Sequence, residues 1–160
     1  AYEIKECDWS SDVCSSDLIR LLWADAAPIL LAQAYAPTRF DWRIGVLDGA
    51  PLYACRYFMV HDHWQIVKFA HDGAMQEGRG VAVRLEDAPA DVLEAATRAA
   101  NSVGRGLYGV DVKVFGGEPL VIEVNDNPTI EADLEASVGA VWERIAGYFL
   151  SRIDCAWAAA

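Results

Sequence analysis

Basic residues are scarce in this chain: 13 lysines and arginines stand against 24 aspartates and glutamates, a formal net charge of −11. No positive cluster is present to follow a phosphate backbone or an anionic lipid surface, which argues against nucleic-acid and membrane partners. No apolar run approaches the roughly 20 residues of a bilayer span, and no charged-then-apolar stretch opens the sequence. Cysteine is sparse too, with four residues and neither a CxxC pair nor the spacing of a metal site. Outside the opening segment only Cys55 and Cys155 remain, and two distant thiols suit a reducing compartment, so the expected location is cytoplasmic. Internal repeats are lacking, and the terminal alanines are the one low-complexity tract. What remains is an ordinary globular composition, 54% hydrophobic and 23% charged over 160 residues, enough for one domain or a piece of one.

The first 18 residues, "AYEIKECDWSSDVCSSDL", have no helical or strand period. They resemble the conceptual translation of a short-read sequencing adapter, whose codons GAC-TGG-AGT-TCA-GAC-GTG-TGC-TCT-TCC-GAT spell Asp8 through Asp17. The segment carries four of the eleven net negative charges and two of the cysteines, Cys7 and Cys14. The expectation is a non-native tail over 1–18 and a native part over 19–160, itself the C-terminal portion of a longer protein.

Along 19–160, "PILLAQAY" (28–35) reads as a buried strand. "DWRIGVLDGAPLYACRYFMV" reads as a hairpin turning at Asp48-Gly49, a favoured tight-turn pair. A third strand reaches to about Phe69, and a Gly-rich polar loop follows. "PADVLEAATRAANSVG" predicts a helix, with Pro89 in its first turn, Val92, Ala96, Ala99 and Val103 on one face, and Gly104 closing it. A second hairpin turns at Gly116-Gly117, and "VGAVWERIAGYFLSRI" predicts a closing helix with a stripe of Val141, Ile145 and Phe149. The order ββ(β)-α-ββ-α predicts an α+β fold, a mixed or antiparallel sheet with flanking helices.

One strand carries charge where a core strand should be apolar: "VIEVNDNPTI", residues 121–130. Alternation puts Glu123 and Asn125 on one face and Leu120, Ile122 and Val124 on the other. On the preceding strand Asp111 and Lys113 share a face, and a three-residue loop over 116–118 would set Asp111 opposite Glu123. Facing Cβ atoms lie about 4.5–5.5 Å apart, so the two carboxylates repel unless a cation intervenes or one is protonated. A hard divalent ion such as Mg²⁺ would answer this, with Asn125 adding a neutral oxygen. The plainer alternative is that Lys113 neutralises the pair at a solvated sheet edge.

"GVDVK" (109–113) with "EVNDNP" (123–128) resembles the metal-binding hairpin of the ATP-grasp ligases, in particular the RimK-like glutamate-ligase group. "FDWRIGVLDG" resembles that group's Asp-x-Arg strand, and "QAYAPT" its adenine-contacting hinge; the resemblance covers about residues 19–155. It implies the C-terminal portion of an ATP-grasp fold and an ATP- and Mg²⁺-dependent carboxylate–amine ligase, with Mn²⁺ as an alternative metal. The implied substrate is glutamate or another amino acid activated as an acyl phosphate and joined to an amine acceptor. Homo-oligomerisation of the full-length parent is a further expectation. Asp111, Glu123 and Asn125 would hold the metal, and Arg43 would face the phosphates or the acyl phosphate as the catalytic cation. Gln33, Ala34, Tyr35, Ala36, Asp41 and Lys68 would bind ATP, and Arg56 would bind the substrate carboxylate.

Three departures stand out. Ala34 occupies the position where the hinge usually carries Glu, "HWQIVK" replaces the group's Arg-Ser-Asn phosphate contact, and the half that brings the Gly-rich loop and phosphate-binding lysine is missing. The fragment by itself is therefore expected to be inactive. A non-catalytic interaction or regulatory domain that keeps the fold is the rival reading.

Plainer roles fit other residues. Arg56 serves as well as a surface cation. His61-Asp62-His63 near His71 lacks a fourth fixed ligand for zinc. Trp42 and Trp64 read as core anchors, Asp126 as the cap of the turn before Pro128, and Glu131, Asp133 and Glu135 as a solvated acidic face.

Overall fold

The computed structural model describes residues 35–60, 66–69, 75–137 and 139–158. The adapter-like tail, Gln33, Ala34, the His61-Asp62-His63 run, Trp64, Gln65 and His71 lie outside the described residues, as does most of the predicted 28–35 strand.

The strands are β1 (Phe40–Leu47), β2 (Ala50–Phe58), β3 (Val67–Phe69), β4 (Met75–Glu77), β5 (Gly80–Val83), β6 (Leu107–Phe115) and β7 (Glu118–Asn125). The helices are α1 (Ala90–Val103) and α2 (Val141–Ala158), and a 3-10 turn covers Leu85–Asp87. Five strands form one sheet in the order β5-β2-β1-β6-β7, with every neighbouring pair antiparallel. The fold is α+β, an antiparallel sheet with flanking helices.

Both predicted hairpins form. In the first, Asp48 and Gly49 take positive φ of 50° and 81°, which gives a two-residue loop the twist its strands need. Among the described residues, the predicted third strand pairs with β4 in a separate two-stranded ladder and not with the main sheet. The edge next to β2 is instead taken by β5, which pairs from Ala54↔Val83 to Tyr57↔Gly80. Three or four residues are too few to display a period, so β4 and β5 were invisible to pattern.

Each sheet face carries its own core. Under α1, Trp42, Ile44, Val46, Ala54, Val110 and Val112 pack against Val92, Ala96 and Ala100. The buried stripe of α1 is therefore Val92–Ala96–Ala100, with Ala99 at its margin and Val103 exposed, a shift from the predicted face. Pro89 and Gly104 flank the helix as expected, and the Gly104 N–H donates to the Ala100 carbonyl. On the other face, Leu47, Leu52, Tyr53, Cys55 and Val141 form a second core, with Leu134, Ile145 and Tyr148 packed against it. Tyr148 takes the place predicted for Phe149, which is exposed. Extra residues at bulges in both hairpins adjust which side chains reach each face.

Candidate active site

The α2-side face of the sheet continues beyond the second core into a polar region. Pairing registers arrange it in rows that run across β2, β1, β6 and β7. Tyr53, Gly45, Gly109 and Asn125 make one row, and Cys55, Arg43, Asp111 and Glu123 make the next. Tyr57 and Asp41 begin a third, with Lys113 two residues beyond Asp111 on the same face. Strand alternation carries these side chains to one side of the sheet.

Asp111 does face Glu123, by a route different from the predicted one. The turn is two residues, Gly116-Gly117, so Phe115 pairs with Glu118 and Val112 with Val121. A bulge at Ile122 then moves the register by one residue and restores Asp111↔Glu123. The same bulge corrects the predicted faces. Leu120 pairs with Lys113 on the polar side, whereas Val124 reaches the α1 core opposite Val110.

Arg43 neutralises Asp111. Its Nε donates to Asp111 Oδ1 at 2.9 Å and its Nη2 to Oδ2 at 3.0 Å, a fork-to-fork pair. Coulomb attraction rises as distance falls, so a guanidinium at hydrogen-bond distance outweighs repulsion from a carboxylate one strand further on. The guanidinium lies 4.9 Å from the Tyr57 ring centroid. The hydrogen bond to Asp111 is the main cause that raises the Arg43 pKa above its ordinary value, and burial opposes it.

Lys113 has another partner. Its Nζ donates to Asp41 Oδ1 at 2.6 Å and to Thr38 Oγ1 at 2.9 Å. The proposed Lys113 neutralisation of Asp111 and Glu123 is thus replaced by two separate pairs, Arg43–Asp111 and Lys113–Asp41. Alternation had placed Lys113 beside Asp111, but nothing in the sequence pointed to Asp41, 72 residues away.

The other nominated residues divide. Asn125 is on the face, and its Oδ1 accepts a hydrogen bond from the Asn127 N–H at 2.8 Å. That bond makes Asn125, rather than Asp126, the residue closing the turn before Pro128. Ala36 is buried and Tyr35 exposed. Lys68 is in β3, apart from the main sheet. Arg56 is not brought to this face: it pairs with Trp42 and Val81, and its guanidinium lies over the Trp42 and Phe40 rings at 4.6 and 5.3 Å.

Three residues at the site, Glu135, Tyr57 and Cys55, escaped the sequence reading. Glu135 is 1% exposed and not part of a solvated face. Its Oε1 accepts from the Tyr57 hydroxyl, and its Oε2 accepts from the Glu131 N–H at 2.9 Å. A buried carboxylate without donors costs several kcal/mol, roughly, and charge-assisted hydrogen bonds offset about 1.5–3 kcal/mol each. Burial, followed by the Glu135 hydrogen bond, raises the Tyr57 pKa. Burial first and then the Glu135 charge push the Cys55 thiol from about 9 up to about 12, against the opposing pull of Arg43.

Oxygen donors from Asp111, Glu123 and Asn125 have the hard character Mg²⁺ requires, and cross-strand register brings them to adjoining positions. They fit such an ion provided that Asp111 turns at least one oxygen away from Arg43. Among the described residues, no group of three or more His, Cys, Asp and Glu side chains is gathered for a metal. A separate open cleft of about 440 Å³, lined by Phe58, Met59, Val60, Glu77, Gly78, Arg79 and Val81, contains none of the paired charges.

The chain is similar to solved ATP-grasp ligases. One is the ligase PsnB complexed with minimal precursor, at 22% identity and TM-score 0.49, over 71% of this chain and 34% of that one. Another is the D-alanine–D-alanine ligase from Bacillus anthracis, at 15% identity and TM-score 0.48, over 71% of this chain and 39% of that one. PsnB with minimal precursor, Mg and ADP aligns at 18% identity and TM-score 0.49, over 84% of this chain and 50% of that one. The chain thus spans between about a third and a half of these structures. No family model matches it, and no curated protein matches it by sequence.

Proposed function

We propose that this chain is the C-terminal part of a RimK-like ATP-grasp ligase, which joins a carboxylate, glutamate or another amino acid, to an amine with ATP and Mg²⁺. The observation that carries the reading is the row Arg43–Asp111–Glu123 on one polar sheet face, formed by the residues that the "DWR", "GVDVK" and "EVNDNP" motifs nominate. In the reaction, a substrate carboxylate oxygen attacks the terminal phosphorus of ATP, the bond from that phosphorus to ADP breaks, and an acyl phosphate forms as ADP leaves. The amine then attacks the acyl carbon, and phosphate leaves.

Bound Mg²⁺ would supply charge neutralisation of the transferring phosphoryl group. Asp111, Glu123 and Asn125 are the residues that would hold it. Arg43, anchored on β1 and stacked on Tyr57, would present a fixed cation to the phosphoryl oxygens. Asp41, held by Lys113 and Thr38, would lie at the ribose end, with Tyr35 and Ala36 backbone near adenine. Arg56 would act on a substrate only after leaving its aromatic partners.

One observation favours the non-catalytic alternative: both Asp111 oxygens are already engaged by Arg43. Calorimetric titration of Mg²⁺ with and without a non-hydrolysable ATP analogue separates the two. The ligase reading expects metal binding that depends on nucleotide and is lost in Glu123→Ala. Equal, weak metal binding with and without nucleotide would support the alternative.

A further inference from the structure

We infer that Glu135 is a positioning residue for Arg43, acting through Tyr57. Tyr57 pairs with Asp41 on the polar face, and its hydroxyl donates to a carboxylate that is 1% exposed. The second Glu135 oxygen is held by the Glu131 backbone. Glu135 is thus anchored at one end to the chain and at the other to the edge of an aromatic ring. A phenol whose oxygen is held can no longer swing about its Cα–Cβ bond, and because a phenolic O–H prefers the plane of its ring, an acceptor fixed in direction also biases the plane of the Tyr57 ring. Arg43 lies over that ring with its Cζ 4.9 Å from the centroid.

The arrangement gives Arg43 two supports of different kinds. Asp111 holds the guanidinium edge through two directional bonds, and Tyr57 holds its face through the ring quadrupole. Any ligand that draws an Asp111 oxygen away weakens the first support and leaves the second. The ring, oriented by Glu135, then decides where the cation points. That is the state in which a misaligned cation would cost catalysis most, because charge stabilisation depends on a preformed geometry. The catalytic meaning rests on the ligase reading above, whereas the positioning itself does not.

The test uses the full chain, labelled to observe arginine side-chain Nε–H signals by NMR without nucleotide or metal. Arg43→Lys identifies the Arg43 signal by its disappearance. Glu135→Gln keeps the shape of the side chain but sets an amide N–H₂ against one of its two donors, and Tyr57→Phe keeps the ring but frees it from Glu135. Each should displace or broaden the Arg43 signal while melting stays cooperative. An unchanged signal in either folded variant would overturn the proposal, and so would loss of cooperative folding in both, which would make Glu135 a folding residue. In a second arm, binding of a non-hydrolysable ATP analogue with Mg²⁺ should weaken about tenfold in Tyr57→Phe, as for other residues that orient a site from behind. An Arg43 signal displaced in both variants, beside a parent that binds no nucleotide, would count against the ligase reading and leave the positioning standing.

Discussion

Arg43 on β1 holds both carboxylate oxygens of Asp111 on β6, at 2.9 and 3.0 Å, although the two residues lie 68 positions apart in the chain. The residue nominated to meet phosphate and the residue nominated to meet metal therefore neutralise each other in the ligand-free protein. Each has a side chain no more than a quarter exposed, so neither is fully hydrated once its partner is removed.

Arg43→Ala should lower stability by about 1–3 kcal/mol, because it leaves a part-buried carboxylate unpaired beside Glu123. Asp111→Asn should cost less, since the amide oxygen still accepts one hydrogen bond and the repulsion from Glu123 disappears. Arg43→Lys should recover little, as an ammonium cannot form the fork. Urea denaturation of the three variants measures this; equal losses for Arg43→Ala and Asp111→Asn would contradict it.

Glu123 is exposed on the edge strand, so Glu123→Ala should leave the ligand-free melting point unchanged or slightly higher. It should also remove the stabilisation that Mg²⁺ and a non-hydrolysable ATP analogue give the parent. Lys113→Ala should behave in the opposite way, destabilising the ligand-free protein by stranding Asp41. Thermal melts with and without Mg²⁺ and analogue distinguish the two patterns. Retained ligand stabilisation in Glu123→Ala would show that the metal assignment is wrong.

Stability should fall on the alkaline side. The Cys55, Tyr53 and Tyr57 pKa values are all raised, burial being the first cause for each. An acid whose folded pKa lies above its unfolded value contributes stability that is fully present below the unfolded value and is lost as pH rises toward the folded one. For Cys55 that window runs from about 9 to about 12. Urea midpoints should therefore decline above about pH 9, and Cys55→Val should make the decline shallower. Site-resolved alkylation near neutral pH should also leave Cys55 unmodified, since its thiol is buried and un-ionised.

Gly109 lies in the row with Asn125, and a Cβ there would come within 2.8 Å of Pro128 Cβ. Gly109→Ala should push the 125–128 turn off the sheet at a cost of about 1–3 kcal/mol. Asn125→Ala would remove the bond that closes the same turn, and should cost less. The ratio of the two losses, read from denaturant midpoints, reports how firmly the turn is seated on β6.

Deletion of residues 1–18 should leave the melting point of the chain unchanged, as expected for a segment whose sequence resembles adapter DNA. A drop of several degrees would show that the segment belongs to the folded domain.

Local pattern carried the hairpins and the two helices, because each depends on turn chemistry, alternation or helical period within a short stretch, whereas Asp111 meets Glu123 through a bulge and not through the three-residue loop expected. The bulge at Ile122 was not legible: a one-residue irregularity does not disturb the strand pattern, yet it sends Leu120 to the polar face. Nor could pattern foresee β5, whose four residues become a strand only because β2 offers an unpaired edge. Charge was the least local property. In sequence Glu135 sits among other acids and reads as solvated, and it is buried because Tyr57, 78 residues away, brings a hydroxyl to it. Lys113 is the cation nearest Asp111 along the chain, but β6 lies beside β1, so Arg43 takes Asp111 and Lys113 takes Asp41. Residue types and spacing determined which groups could do chemistry. Strand order decided which of them meet, since an ion pair forms across whatever distance the fold has closed.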